Sequence, residues 1–196
     1  MRAAAAQRRS IRKYTPDPIP DEDLRAILRA AMSAPSPMNV QPWRFVVVRE
    51  PTLKAKLQVA ANNQAQVGGA PAVIVLYSDM PDVIAHAHEL AYPDIDAEAQ
   101  AKYADRVRNN IGSKTPEALA AWGHAVSYIA LGYLLLAAES LGYVTSPMLG
   151  FKADAVKALL DLPPHVTIPA IVALGVAGEP GHAPHRHDVD RVTRFL

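Results

Sequence analysis

Apolar and polar positions follow several rhythms along this chain, and each predicts an element. From Asp21 to Met32 the residues Leu24, Ile27, Leu28 and Ala31 recur at helical spacing behind an acidic first turn, and Pro35 stops the pattern. Arg44–Val48 is a short β-branched run that reads as a buried strand. Pro51–Ala61 returns to helical spacing, with Leu53 and Leu57 inward. Ala72–Tyr77 is a second buried strand, entered through Gly68, Gly69 and Pro71. Residues 81–116 are polar and break at Tyr92-Pro93, which predicts separate helical pieces. Glu117–Leu141 is a long apolar helix closed by Gly142, Lys152–Leu160 a short one and Thr167–Ala177 a strand. From Gly178 onward the chain is rich in Gly, Pro and His. Strands separated by helical stretches predict an α+β domain over residues 1–196, with a central sheet, helices on both faces and 178–196 as a C-terminal tail.

Composition narrows the function classes. Lys and Arg number 20 against 19 Asp and Glu, a formal net charge of +1, which argues against a general nucleic-acid binder. The absence of cysteine excludes disulfides, thiolate catalysis and Cys-ligated metal centres, and cytoplasm is the expected compartment. Met1–Gln7 lacks a long apolar core and is not read as a secretory signal. The stretch Ala118–Ala138 carries no Asp, Glu, Lys or Arg and approaches the ~20 residues of a bilayer span. Gly123, His124, Ser127 and Gly132 interrupt it, and its flanks are Glu117 and Glu139 rather than basic or aromatic anchors. It is expected to be a core helix or a subunit interface, not a membrane segment.

Two segments carry chemistry. Arg8-Arg9-Ser10-Ile11-Arg12 concentrates cations around one hydroxyl, a combination suited to phosphate. Pro35-Ser36-Pro37-Met38-Asn39-Val40-Gln41-Pro42-Trp43 alternates prolines with uncharged amides, giving a rigid loop of donors and acceptors without charge. Together they suit a ligand with a phosphate at one end and a polar heteroaromatic ring at the other, a description that flavin mononucleotide (FMN) meets.

In order along the chain, these segments resemble the nitroreductase family of FMN-dependent oxidoreductases. The arginine segment is similar to the family's opening phosphate motif, and Pro35-Ser36 with Asn39–Trp43 to its most recognisable loop. Asn63-Gln64-Ala65-Gln66-Val67 and Ser146-Pro147-Met148-Leu149-Gly150-Phe151 resemble two further flavin-contacting stretches. The resemblance implies a nitroreductase-like fold with a central mixed sheet, in an intertwined homodimer whose two flavin sites are each built from both chains. In it Arg8, Arg9, Ser10 and Arg12 contact the flavin, Arg12 tuning N1, and Arg186 closes on the phosphate. Pro35, Ser36, Pro37, Asn39 and Gln41 come from the partner chain, and Asn63 and Gln66 bond the ring or ribityl chain. Met148, Leu149 and Gly150 lie along the ring face. NADH or NADPH is the implied electron donor, and nitroaromatics, quinones or similar conjugated small molecules the acceptors, in a ping-pong cycle. Residues 81–116 match nothing in the family pattern, and they shape the pocket over the flavin.

Each motif alone has a plainer reading: a solvated arginine arm, a capped turn, core methionine at 148 or a surface pair between Arg186 and Asp188 or Asp190. The histidines at 86, 88, 182, 185 and 187 lack carboxylate or thiolate company in a metal-site pattern, so no metal is expected. Two other functions stay open, a flavin-storage protein and an enzyme of the same fold with another reaction, such as enone or aldehyde reduction, dehalogenation or flavin fragmentation.

Overall fold

The computed structural model describes residues Met1–Leu196. Its helices are α1 (Arg2–Gln7), α2 (Asp21–Met32), α3 (Pro51–Ala60), α4 (Ala65–Gly69), α5 (Met80–Ala85), α6 (Ala97–Gly112), α7 (Pro116–Ser140), α8 (Ala153–Leu159) and α9 (Val189–Val192). Its strands are β1 (Trp43–Val48), β2 (Ala72–Ser78), β3 (Val144–Met148) and β4 (Thr167–Gly175). Local chemistry sets several helix starts. Glu50, Asp79, Asp96 and Thr115 each accept backbone N–H bonds as N-caps, and Pro51 and Pro116 occupy the first turn, where no donor is lost.

The strands form one sheet in the order β1-β2-β4-β3, and every pairing is antiparallel. This corrects the expected mixed sheet: the parallel contact is an isolated bridge between Ser10 and Thr145. After β1 the chain crosses α3 and α4 and re-enters the sheet at the end it left, which makes β2 antiparallel. Hydrophobic period reports that strands exist and says nothing of their direction.

Side chains of β2 alternate between two cores. Ala72, Ile74 and Leu76 pack with Leu24, Ile27, Val126, Ala130 and Leu134 of α2 and α7. Val73 and Val75 pack with Leu57, Val67 and Val156 of α3, α4 and α8. A sheet covered on both faces reads in sequence as continuous apolar runs, which is how β2 and β4 were legible. A third cluster joins Val40 to Met80, Val83, Tyr103, Val107 and Leu119, so residues 79–112 form an excursion packed beside the start of α7. Gly123 permits close approach here, since a Cβ would stand 2.4 Å from Met80 Cγ and 2.5 Å from Ser78 Oγ.

Helix α7 is long and apolar enough to cross a membrane, but its Leu119, Val126, Ala130, Leu134 and Ala138 are buried within the protein. Tyr128, Ile129 and Tyr133 remain exposed on its outer side.

Candidate functional site

The arginine segment runs from the end of α1 along the outer edge of β3. Ser10 bridges Thr145, and the Ile11 N–H donates to the Thr145 carbonyl at 3.2 Å. The Ile11 side chain is buried, and the Tyr14 hydroxyl donates back to the Ile11 carbonyl at 2.7 Å. The C-terminal tail then folds over this segment. Gly178 N–H donates to Lys13 O at 2.9 Å, and Arg12 N–H to the Glu179 carboxylate at 3.0 Å. Gly181, at φ +71°, lies so close to Ile11 that a Cβ would stand 2.5 Å from its Cδ1.

Strand edge and tail thereby enclose a cavity of about 190 Å³ lined by Arg8, Arg9, Ser10, Arg12, His182, His185 and Arg186 with Ala183 and Pro184. Four arginines line it and no carboxylate does. Arg9 is held by the carbonyls of Ala6, Gln7 and Arg8 at 2.7–2.9 Å. Arg8 differs, because its Nη1 is buried without a hydrogen-bond partner. Burial, then repulsion from Arg186, pushes its pKa below the ordinary arginine value, with Glu139 partly offsetting the shift. A buried, unpaired guanidinium nitrogen is costly, and a phosphate would supply the missing acceptor and the missing negative charge. The residues present therefore fit a phosphate-bearing cofactor.

From Thr145, β3 leads to Met148, roughly 10 Å along the strand. The Met148 side chain belongs to the core, which leaves only its backbone to face a ligand. Leu149 is 64% exposed. Gly150 O accepts from Gln64 Nε2 at 2.8 Å, and Gln64 Oε1 accepts from Gln66 Nε2 at 3.1 Å. Asn62 and Asn63 close α3 with positive φ, a conformation asparagine tolerates. Buried Lys54 fixes the end of α4 by donating to Ala70 O at 2.5 Å. The structure thus joins Gln66 and Gly150 through Gln64 into one uncharged amide rim, with Asn63 and Leu149 next to them in sequence. It adds Gln64, whose position inside the Asn-Gln-Ala-Gln stretch was the available signal.

Loop 35–41 lies elsewhere. Within one chain its bonds run to the excursion, not to the arginine cavity. Asn39 Nδ2 donates to Leu90 O at 3.1 Å, Gln41 Nε2 to Asn39 Oδ1 at 3.0 Å, and Gln41 N–H to Ser36 Oγ at 3.0 Å. Pro35 and Pro37 are exposed. Met38, Asn39 and Gln41 all have positive φ, which asparagine tolerates and which strains Met38 and Gln41 by about 1–3 kcal/mol each, held by the surrounding structure. A larger cavity of about 380 Å³ lies beneath the excursion, lined by Met80, Ile84, Lys114, Glu117 and His165 among others. Its single lysine shares the lining with a glutamate and its histidine is engaged by Asp79 at 3.0 Å, so the anion chemistry belongs to the smaller cavity.

An α+β fold with helices on both faces of an antiparallel sheet, and an arginine-lined anion cavity at the sheet edge, defines a cofactor-binding protein. The family model described as Nitroreductase family matches residues 5–176, and the chain belongs to that family of FMN-dependent oxidoreductases. It is similar to a protein named NADH dehydrogenase from Thermus thermophilus, 47% identical over 191 residues that cover 97% of this chain and 93% of the relative. A candidate nitroreductase of Exiguobacterium sibiricum, solved in complex with FMN, superposes with a TM-score of 0.90 at 26% identity, covering 100% of this chain and 96% of the other. CLA-ER, an enone reductase of gut-bacterial fatty acid saturation, superposes at 0.85 with 27% identity over 98% and 96% of the two chains.

Proposed function

We propose that this protein is a cytoplasmic FMN-dependent oxidoreductase. It takes electrons from NADH or NADPH and passes them to nitroaromatics, quinones or similar conjugated acceptors in ping-pong order. The observation that carries this reading is the buried, unpaired Nη1 of a half-buried Arg8 in a cavity of four arginines. FMN, when bound, supplies hydride acceptance and donation, so the chain has to bind, orient and tune it. Arg8, Arg9, Ser10 and Arg186 hold the phosphate end, and Arg12, farther along the same segment, is the cation that tunes N1. Asn63, Gln66 and the backbone of Met148–Gly150 orient the ring end. This rim carries no acid, so the proton for a reduced acceptor comes from water.

The exposed apolar face of α7 supports a homodimer, and loop 35–41 then serves the cofactor held by the other protomer. An absorption spectrum of the purified protein, before and after anaerobic NADH or NADPH, tests the reading. Flavin bands that bleach are expected; a colourless protein that does not take up FMN would overturn it. Bound FMN reduced no faster than free FMN would instead indicate flavin storage.

The similarity to CLA-ER favours one second reading, reduction of an enone in the same site. Reoxidation of the reduced protein by a panel of quinone, nitroaromatic and enone separates the two.

A further inference from the structure

Loop 35–41 is strained and charge-free, yet a single cation ties it to the rest of the chain. Arg44, the second residue of β1, donates through Nη1 to the Gln41 and Trp43 carbonyls at 2.9 Å each. Its Nη2 meets the Asp82 carboxylate of α5 at 2.5 Å. Asp82 is itself placed by the N-cap bond from its N–H to Asp79 at 3.1 Å, and it also meets His86 Nδ1 at 2.9 Å. A second link lies at the far side of the loop, where Asn39 donates to Leu90 O. Val40 also packs against Met80 and Val83, and Asp79 N–H donates to Pro42 O at 3.0 Å, so several contacts join the loop to the excursion and only the Arg44 one is ionic.

We propose that Arg44 and Asp82 form a positioning pair that locks loop 35–41 to the excursion 79–112 and thereby sets the shape of the acceptor pocket. The proposal rests on the flavin reading above, in which loop 35–41 serves the cofactor held by the other protomer and residues 81–116 shape the pocket over the flavin. Neither residue lines the arginine cavity, so breaking the pair loosens loop 35–41 while the loop itself and the phosphate site stay in place. The effect then falls on fit more than on cofactor retention. A planar guanidinium suits the task because it reaches a carbonyl and a carboxylate from separate nitrogens, which a lysine ammonium does less well. The low pKa of Asp82, held down first by the Arg44 hydrogen bond, keeps the pair ionised across the neutral range.

The test compares Asp82→Asn, Arg44→Met, the double variant and a control, Arg49→Met, which breaks only the exposed pair with Asp21. With 1,4-benzoquinone as acceptor and NADH as donor, FMN content should stay stoichiometric. KM for the quinone should rise roughly 5–20-fold with a smaller change in kcat. The double variant should resemble either single one, as expected of residues acting as a unit, and the control should match the unmodified protein. Hydrogen exchange should quicken together at 36–41 and 80–90 and stay unchanged at 8–12. An unchanged quinone KM in Asp82→Asn, or loss of FMN from it, overturns the proposal; if Arg44→Met does not fold, Asp82→Asn decides alone. Were the unmodified protein to bind no flavin, the functional reading would fall while hydrogen exchange still judged the lock.

Discussion

Arg8 and Arg186 act on one another before they act on any ligand. Burial of Arg8 and its repulsion from Arg186 mean that the cavity stores unfavourable charge, which an anion relieves. Each charge-assisted bond to a phosphate contributes about 1.5–3 kcal/mol, so Arg8→Ala with Arg186→Ala should weaken FMN at least ~100-fold. Fluorescence titration measures this, and retained stoichiometric flavin would remove both residues from the site. The cluster around Asp82 makes a second prediction, about pH. Its carboxyl lies below the usual 3.8, so its contribution is present above that value and lost as pH falls through the lower folded value. His86 is raised above 6.5, first by the Asp82 backbone carbonyl and then by the carboxylate, so its contribution is present below 6.5 and lost as pH rises through the folded value. An NMR titration of His86 should show its midpoint falling in Asp82→Asn, because the carboxylate's share of the upward shift is removed while the carbonyl's remains. An unchanged midpoint would show that the carboxylate does not act on His86. The arginines and amides were legible because their residue types announce their chemistry. Arg44 and Asp82 were not, since 38 positions separate them and only the packing of α5 against loop 35–41 joins them.

At the scale of elements, α2, β2, α7 and β4 carry unambiguous periodicity and were readable in advance. Strand β3 carries no strand signal in the sequence, because Val144–Met148 mixes Thr, Ser and Pro in five residues. It forms because it is the terminal strand of the sheet, where Pro147 has no outer ladder to break. Residues 81–116 resolve into α5, a 3₁₀ turn at Ala87–Leu90 and α6, whose apolar faces find partners only through the third cluster. Sequence predicted α7 as apolar all round, and the structure divides it into a buried side and an exposed one. Tyr128, Ile129 and Tyr133 stand on the exposed side at helical spacing, and a stable dimer needs about 800 Å² from each protomer. Ile129→Glu with Tyr133→Glu should therefore yield monomers by light scattering and release flavin, because each site would lose loop 35–41 of the partner subunit. Monomers that retain FMN would confine the whole site to one chain.

Across the whole molecule, the candidate site joins parts of the chain that are far apart in sequence. The arginine segment, β3, the turn after α3 and the C-terminal tail meet along one sheet edge, and Gly178 N–H to Lys13 O closes the tail against the start. A ligand spanning cavity and rim would bind only when all four are in place, so its binding energy is added to the stability of the fold as a unit. At about 100 times its Kd, FMN should add ~2.7 kcal/mol, which for a chain of this size corresponds to a rise in Tm of about 5–10 °C. Riboflavin has the ring without the phosphate and engages only the amide rim, so its shift should be much smaller. Inorganic phosphate engages only the cavity and should likewise fall short. The Arg8→Ala, Arg186→Ala protein should bring the FMN shift down to that of riboflavin, since the two then differ by a phosphate the cavity no longer reads. Equal shifts from FMN and riboflavin in the unmodified protein would show that the arginines at the sheet edge hold no phosphate.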